Sequence, residues 1–548
     1  METKSRVGDR IESDGYIGTV KYVGAVGVTP GEWLGIDWDD HTRGKHNGIY
    51  EGIKYFETWY VFKNLPSNDV EELIFMNYKP FCRHRTSGSF IRPAKANCGF
   101  SCPEVIKSRY GFVDDELAGI DRDTIASVQK SFNAPFVEMV GFSEVNRKQS
   151  TFDQLRVVCL RDKLVSSAGY PNELATLCPM IHELDLSRNL INSWKVVAEI
   201  CFQLQYLKNL NISENQLPVE NQMDNYRDAF LKLTHLTMGR MKYNWFDISC
   251  CLSAFSSLED LVVSYNLIEC ISDIKSISKL DQLTDLSLEH NLISDWNEIL
   301  KLGKLPSLRN LNVNSNQIEK IEFPTVNQTN KTELFPCLIQ LHISNNNIAE
   351  WRSISELEKL NHLEDLKFRE NPILKEHNVD TSMQLVIARI SSLKYFNGTE
   401  ILPSERRGAE YDYLKLYSKV WKTMEKQNLP KDEFILNHPR FPALAEKYGV
   451  PDTSDAVKNT QLSSNVITVE FICPDIPNFP PVKKKLLKNM DVQKLMGIVQ
   501  RLFRLNGKLP TLSFIRPKVS DDEIPLDKPL QDLNYYLIDE GDLIVVRW

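Results

Sequence analysis

The chain contains no Cys-x-x-Cys pair and no run of His, Cys, Asp and Glu at metal-ligand spacing, so neither a zinc site nor a dithiol redox centre is expected. It also lacks a phosphate loop and a Gly-x-Ser-x-Gly nucleophile turn, and scattered histidines such as His182, His235 and His342 read as structural. No enzymatic activity and no cofactor are therefore expected. No apolar run is long enough to span a bilayer, and the opening Met-Glu-Thr-Lys-Ser-Arg has no apolar signal-peptide core. A cationic excess is missing too: 65 Lys and Arg against 73 Asp and Glu leave a net charge of -8, which argues against a general nucleic-acid binder. The expected partners thus include neither membrane nor nucleic acid. Several of the 11 cysteines fall at apolar positions of a repeat, among them Cys159, Cys201 and Cys337. They read as reduced, buried thiols in the cytoplasm.

What the chain does have is a recurring pattern: apolar, two variable, Leu, one variable, apolar, two variable, Asn. It reads Ile181-Leu184-Leu186-Asn189, and again ending at Asn215, Asn266, Asn291, Asn316, Asn346 and Asn371. Two further copies carry Lys163 and Met241 in place of Asn. A period of about 25 residues is that of leucine-rich repeats, each too small to bury its own apolar face, so that stacked copies share one core. The Asn amide both donates and accepts, and can satisfy backbone groups stranded where the chain turns after each strand. Five residues on, Trp194, Ile271, Trp296, Ile321 and Trp351 form a second ladder, read as the apolar side of the returning segment. Strand positions between the inward leucines, including Glu183, Asp185, Asp260, Asp285, Glu289, His342, Asp365, Lys367 and Arg369, are expected to line a polar, mostly acidic concave face. That face suits a protein partner or plain solvation equally.

Before the repeats, residues Val7 to Pro93 are rich in glycine and short alternating runs, which predicts a small twisted β-barrel. Within it, Gly44-Lys45-His46-Asn47-Gly48, then Tyr55-Phe56, then Gly88-Ser89-Phe90-Ile91-Arg92, resemble the CAP-Gly family. His46 and Asn47 depart from the commonest form of its Gly-Lys-Asn-Asp-Gly signature. The resemblance implies a groove for acidic, aromatic-ended carboxyl tails such as that of α-tubulin. On physical grounds such a tail needs a cation, accessible backbone N-H groups and an aromatic slot. Lys45 would supply the charge, the Gly44 to Gly48 loop the N-H groups, Trp33 and Phe90 the slot, and Arg92 a second cation, with Val28 lining the groove. The competing reading makes Trp33 and Phe90 barrel core and Lys45 a solvated loop charge. An insertion, 57–81, separates Tyr55-Phe56 from Cys82-Arg-His-Arg; it is read as a surface loop or a retained non-coding segment. Outside it, the first 100 residues carry 11 Lys and Arg against nine Asp and Glu, a local sign suited to an acidic ligand.

Residues 101–150 are read as a linker and the cap of the array, with Glu104 to Tyr110 a connecting strand or turn, and 151–400 as the repeats. A cap helix follows in 401–428, from about Pro403 to Gln427 with Ser404 as N-cap, then a linker with a short helical element, 429–464. Residues 465–548 alternate as strand (Val466 to Ile472), strand (Val482 to Leu487), helix (Val492 to Leu505), strand (Leu512 to Ile515) and strand (Asp542 to Arg547). This order resembles the ubiquitin-like β-grasp; with no terminal Gly-Gly it is not expected to be a conjugated modifier. The Lys483-Lys484-Lys485 run reads as a solvated hairpin. The fold class is therefore multidomain: an all-β CAP-Gly barrel, an α/β leucine-rich-repeat solenoid with a helical cap, and an α+β ubiquitin-like domain. In this order the modules resemble the tubulin-folding cofactor E family. That resemblance implies a non-enzymatic chaperone of the cytoplasm and cytoskeleton that binds α-tubulin by tail and body. It would act with tubulin-folding cofactors B, C and D, meet β-tubulin indirectly through cofactor D, and both assemble and dissociate the heterodimer. The ubiquitin-like end would further imply a proteasome contact. Two alternatives are a microtubule-end adaptor, for which sustained heptads are wanting, and a ubiquitin-linked shuttle for tubulin.

Overall fold

The computed structural model describes residues 5–58, 87–111, 150–220, 222–271, 280–324, 331–451, 466–476, 480–488, 490–503, 505, 509–517 and 520–548. Most of the insertion 57–81, and Cys82 with it, lies outside them. The chain divides into two compact units, 1–401 with 436–439, and 402–435 with 440–548.

In the first unit, β1 (Arg10–Ser13), β2 (Tyr16–Val26), β3 (Thr29–Trp38) and β6 (Gly88–Ile91) form an antiparallel sheet in that order, beside a hairpin of β4 (Ile49–Tyr50) and β5 (Ile53–Lys54). Alternation puts Ile11, Val20, Leu34, Ile36 and Trp38 inside. Each such burial stabilises by roughly 1.5–3 kcal/mol.

The repeats stack into an 11-stranded sheet of very short strands, parallel except for the last pair. In most, a buried central Leu sits between two polar residues, as in Asp285-Leu286-Ser287 and Asn310-Leu311-Asn312, where both neighbours are partly buried. The returning side carries helices Trp194–Phe202, Trp245–Leu252, Trp296–Leu300 and Trp351–Glu356, each opening on a tryptophan; Trp194, Trp245 and Trp296 are buried.

The ladder asparagines are all buried. Asn291 Nδ2 donates to the carbonyls of Leu288 (2.9 Å) and Val263 (3.1 Å), and its Oδ1 accepts from the Asn266 and Ile268 N–H groups at 3.1 and 3.3 Å. The Leu288 carbonyl then also accepts from Asn316 of the next repeat, at 3.0 Å. The residue just before each Asn takes a left-handed backbone: Arg188, Glu214, Tyr265, His290, Ser315, Asn345 and Glu370 lie at φ 50 to 61, as does Arg240 before Met241.

Four expectations need correction. Glu104 to Tyr110 is helix, not strand or turn: helix Cys102–Tyr110 starts on a capping box of Ser101 and Glu104 and buries Cys102, Val105 and Ile106 in the array's core. The long helix is Pro403–Lys426, and Leu402, not Ser404, is its N-cap because Pro403 occupies the first helical position. Cys337 is exposed and Cys159 half-buried, whereas Cys201 is buried. The β-grasp carries a further strand, Ser520–Pro525, and its helix ends at Leu502.

In the second unit the long helix packs through Trp421 against Phe434 and Phe441 of two short helices, Asp432–Asn437 and Phe441–Tyr448, lying in the stretch expected as linker. Burial pushes the Glu410 carboxyl up, but bonds from Arg440, Tyr448 and Lys447 outweigh it and leave the group below its ordinary value. The β-grasp sheet runs 482–487, 466–472, 543–547, 511–516, 520–525, with its parallel pair at Glu470 and Leu543. Lys483, Lys484 and Lys485 stand exposed on its edge strand, where charge discourages pairing with a further strand.

Asn291→Ala strands the Asn266 and Ile268 N–H groups and leaves the Leu288 and Val263 carbonyls with one amide donor each. We expect the array to lose about 2–4 kcal/mol, seen as a lowered melting temperature by tryptophan fluorescence; a change below about 0.5 kcal/mol would remove the ladder's structural role.

Candidate functional site: a ring-lined groove in the amino-terminal module

The Gly44 to Gly48 loop is tied to β6 through Gly88, whose N–H donates to the His46 carbonyl (2.7 Å) and whose carbonyl accepts from the Lys45 and His46 N–H groups (2.7 and 3.0 Å). Glycine is required here. A Cβ on Gly48, at φ +91, would lie 2.1 Å from the Phe56 carbonyl oxygen, and one on Gly88 would lie 2.7 Å from that of His46. The ring of Phe56 fills the space over Gly35, where a Cβ would come within 2.5 Å of it.

Phe90 is the hub of the site. Its centroid lies 4.8 Å from His46, 5.4 Å from Tyr55, 5.5 Å from Phe56, 6.3 Å from Tyr50 and 6.4 Å from Tyr22, the four carbocyclic rings meeting it nearly edge-on. The Tyr55 hydroxyl accepts from the Gly27 N–H at 2.9 Å, which holds the β2–β3 turn beside the cluster. With the Tyr22 hydroxyl donating to the Ala25 carbonyl at 2.7 Å, the tyrosines combine rings with polar groups, a surface fit for a ligand that carries both.

The nine residues singled out from sequence are not all brought together. Gly44, Lys45, His46, Asn47, Gly48 and Phe90 are. Trp33 sits apart from the ring cluster: its Nε1 donates to Thr29 Oγ1 at 2.9 Å and its ring lies 3.8 Å beneath the Arg92 guanidinium. Arg92 in turn donates to the carbonyls of Pro30 (2.8 Å) and Glu32 (3.3 Å), so the pair braces the start of β3 while keeping a positive charge on that side. Val28 is 97% exposed on the β2–β3 turn and makes no ring contact among the described residues. Lys45 is exposed, and its ammonium has no hydrogen-bond or ion-pair partner among the described residues. Asn47 is exposed and accepts from the Ile49 N–H at 3.3 Å. Sequence reasoning missed Tyr22 and Tyr50 as ring partners; the signal was their place on strands flanking glycines, where a ring has room to lie flat.

His46 stands where the commonest signature has Asn. Its Nδ1 accepts from the Gly48 N–H at 3.0 Å, which leaves the ring proton of the neutral form on Nε2. Burial lowers its pKa from the ordinary 6.5. The neutral form is therefore favoured by folding. Its contribution is present in full above about 6.5 and is lost as pH falls from there toward the lower folded value. NMR titration of the ring should give a midpoint below 6.5, with Nε2 protonated before it. A midpoint above 6.5 would contradict the bond to Gly48.

The CAP-Gly domain family model matches residues 7–60. Tubulin-specific chaperone E of Xenopus laevis is 37% identical over 98% of this chain and 98% of that protein, and that of Homo sapiens 34% identical over 100% and 99%. The solved carboxyl-terminal ubiquitin-like domain of mouse tubulin-specific chaperone e is 30% identical over 17% of this chain and 94% of that one, at a TM-score of 0.15. An internalin from Listeria monocytogenes is 20% identical over 46% and 70%, at a TM-score of 0.28.

Proposed function

The chain belongs to the tubulin-specific chaperone E family, and from that premise we propose that it is a tubulin-folding chaperone whose groove holds the acidic carboxyl tail of α-tubulin while the repeat array grips the folded body. The observation that carries this reading is exposed Lys45, without a polar side-chain partner among the described residues, next to His46 of the Phe90 ring cluster, in a module that matches the CAP-Gly family. A terminal aromatic residue lies against Phe90 and the tyrosines, its carboxylates meet Lys45, and Arg92 on Trp33 draws the preceding acidic residues. Neutral His46 offers its Nε2 proton to the same ligand. Val28, on the adjoining turn, adds apolar contact at the rim.

The array supplies the second contact. Its strand positions are polar and partly buried, and where Asp260 and Asp285 face each other on neighbouring strands, burial and then that repulsion raise the Asp260 pKa. Such a face suits a basic or amide-rich protein surface. In this reading the protein works in the cytoplasm and at the cytoskeleton with tubulin-folding cofactors B, C and D, joining α-tubulin to β-tubulin held by cofactor D. In the same reading the ubiquitin-like domain contacts a further cofactor or the proteasome.

Lys45→Ala should weaken binding of a peptide ending in Glu-Glu-Tyr by about 1–3 kcal/mol in calorimetry, with the array still folded; unchanged affinity would remove the groove assignment. A pull-down from cytosol should recover α-tubulin in a soluble complex. Recovery only with sedimented polymer would favour the adaptor reading.

A further inference from the structure

Almost no chain separates the groove-bearing module from the repeats. Asn97 exchanges both backbone hydrogen bonds with Glu12 of β1, at 2.9 and 2.8 Å, and so closes the module. Phe100 already pairs with Val165 of the array, its N–H donating to the Leu164 carbonyl at 2.9 Å. Only Cys98 and Gly99 lie between. Gly99 is itself wedged in place, at φ +80 with a would-be Cβ 2.3 Å from the Leu164 carbonyl oxygen. One residue after Phe100, the Ser101–Glu104 capping box starts the helix whose Cys102 and Ile106 are fully buried in the array.

A second seam joins the two parts at a distance along the chain. Arg10, 3% exposed, grips both carboxylate oxygens of Asp39. Asp39 Oδ1 also accepts from Nε2 of Gln216 in the array at 2.6 Å, and Asp9 accepts from Asn192 at 3.2 Å. Lys242 of the next repeat lies drawn out of water near Asp39 and Asp37; burial lowers its pKa while those carboxylates oppose the shift. A buried arginine and a desolvated lysine are costly unless their partners stay in place, which a loosely tethered module would not provide. Lys45, His46 and Phe90 take no part in this seam, so the groove stays open.

We infer that module and array form one rigid body, so that the groove and the concave face act as two halves of a single receptor for a folded protein carrying an acidic, aromatic-ended tail. This rests on the tail-binding reading above. Fixed spacing lets capture of the tail present the body to the array at high effective concentration, a gain that a loose joint dilutes.

The test uses the full chain in two altered forms: a flexible Gly/Ser segment of about twelve residues placed between Cys98 and Gly99, and the double substitution Gln216→Ala with Lys242→Met, which leaves the Arg10–Asp39 pair intact. Both should bind a Glu-Glu-Tyr peptide as the parent does, yet bind αβ-tubulin heterodimer more weakly, by ~10-fold or more for the insertion. Small-angle scattering should show the inserted form more expanded than the parent. Unchanged heterodimer affinity with peptide binding intact, or an equally expanded parent, would overturn the inference. A parent that fails to bind the peptide would instead bring down the groove reading, and scattering alone would then decide the rigidity.

Discussion

Each repeat reverses direction within a few residues of its strand, and a reversal inside a packed stack leaves carbonyls and N–H groups facing one another without water. One amide side chain per repeat resolves this. Where two Asn-bearing repeats follow one another, the inward carbonyl three residues before the first Asn accepts from that Asn and from the next, as at Leu186 (2.9 and 2.9 Å), Val313 (3.1 and 3.0 Å) and Ile343 (3.3 and 3.0 Å). Aspartate could not donate these bonds and serine could not span both sites. The array therefore rests on a chain of shared acceptors, and the module fixed to its side inherits that rigidity.

The period of this chain was legible in sequence because packing and polar satisfaction both demand the same residue at the same place. The β-grasp strands at 466–472 and 482–487 were legible for a related reason, since alternation there reports directly which face is buried. The helix at Cys102–Tyr110 was hidden by its weak periodicity, although Ser101, Pro103 and Glu104 already held the start signal. Cys337 lies one residue ahead of inward Leu338, at a turn where side chains point outward, and the repeat pattern alone does not reveal this.

The groove was half legible. Gly48 and Gly88 are there because any Cβ would collide with backbone, so the motif marks a close approach that sequence can show. The ring cluster depends instead on which strands become neighbours: Phe90 pairs across from Gly35, and that missing side chain gives Phe56 its seat. Trp33 looked equivalent to Phe90 in composition, but it lies two residues from Gly35 along β3 and holds Arg92 instead.

The left-handed residue before each Asn has a further meaning. Its backbone is dictated from behind by the ladder, and its side chain is left outside the core, so the positions from Arg188 to Glu370 line up as a rail whose chemistry packing does not prescribe. Along part of it Arg240 lies 4.0 Å over Tyr265, which stacks on His290 at 4.1 Å. A lineage can therefore rewrite this rail residue by residue, changing what the molecule touches while the frame that carries it stays as it was.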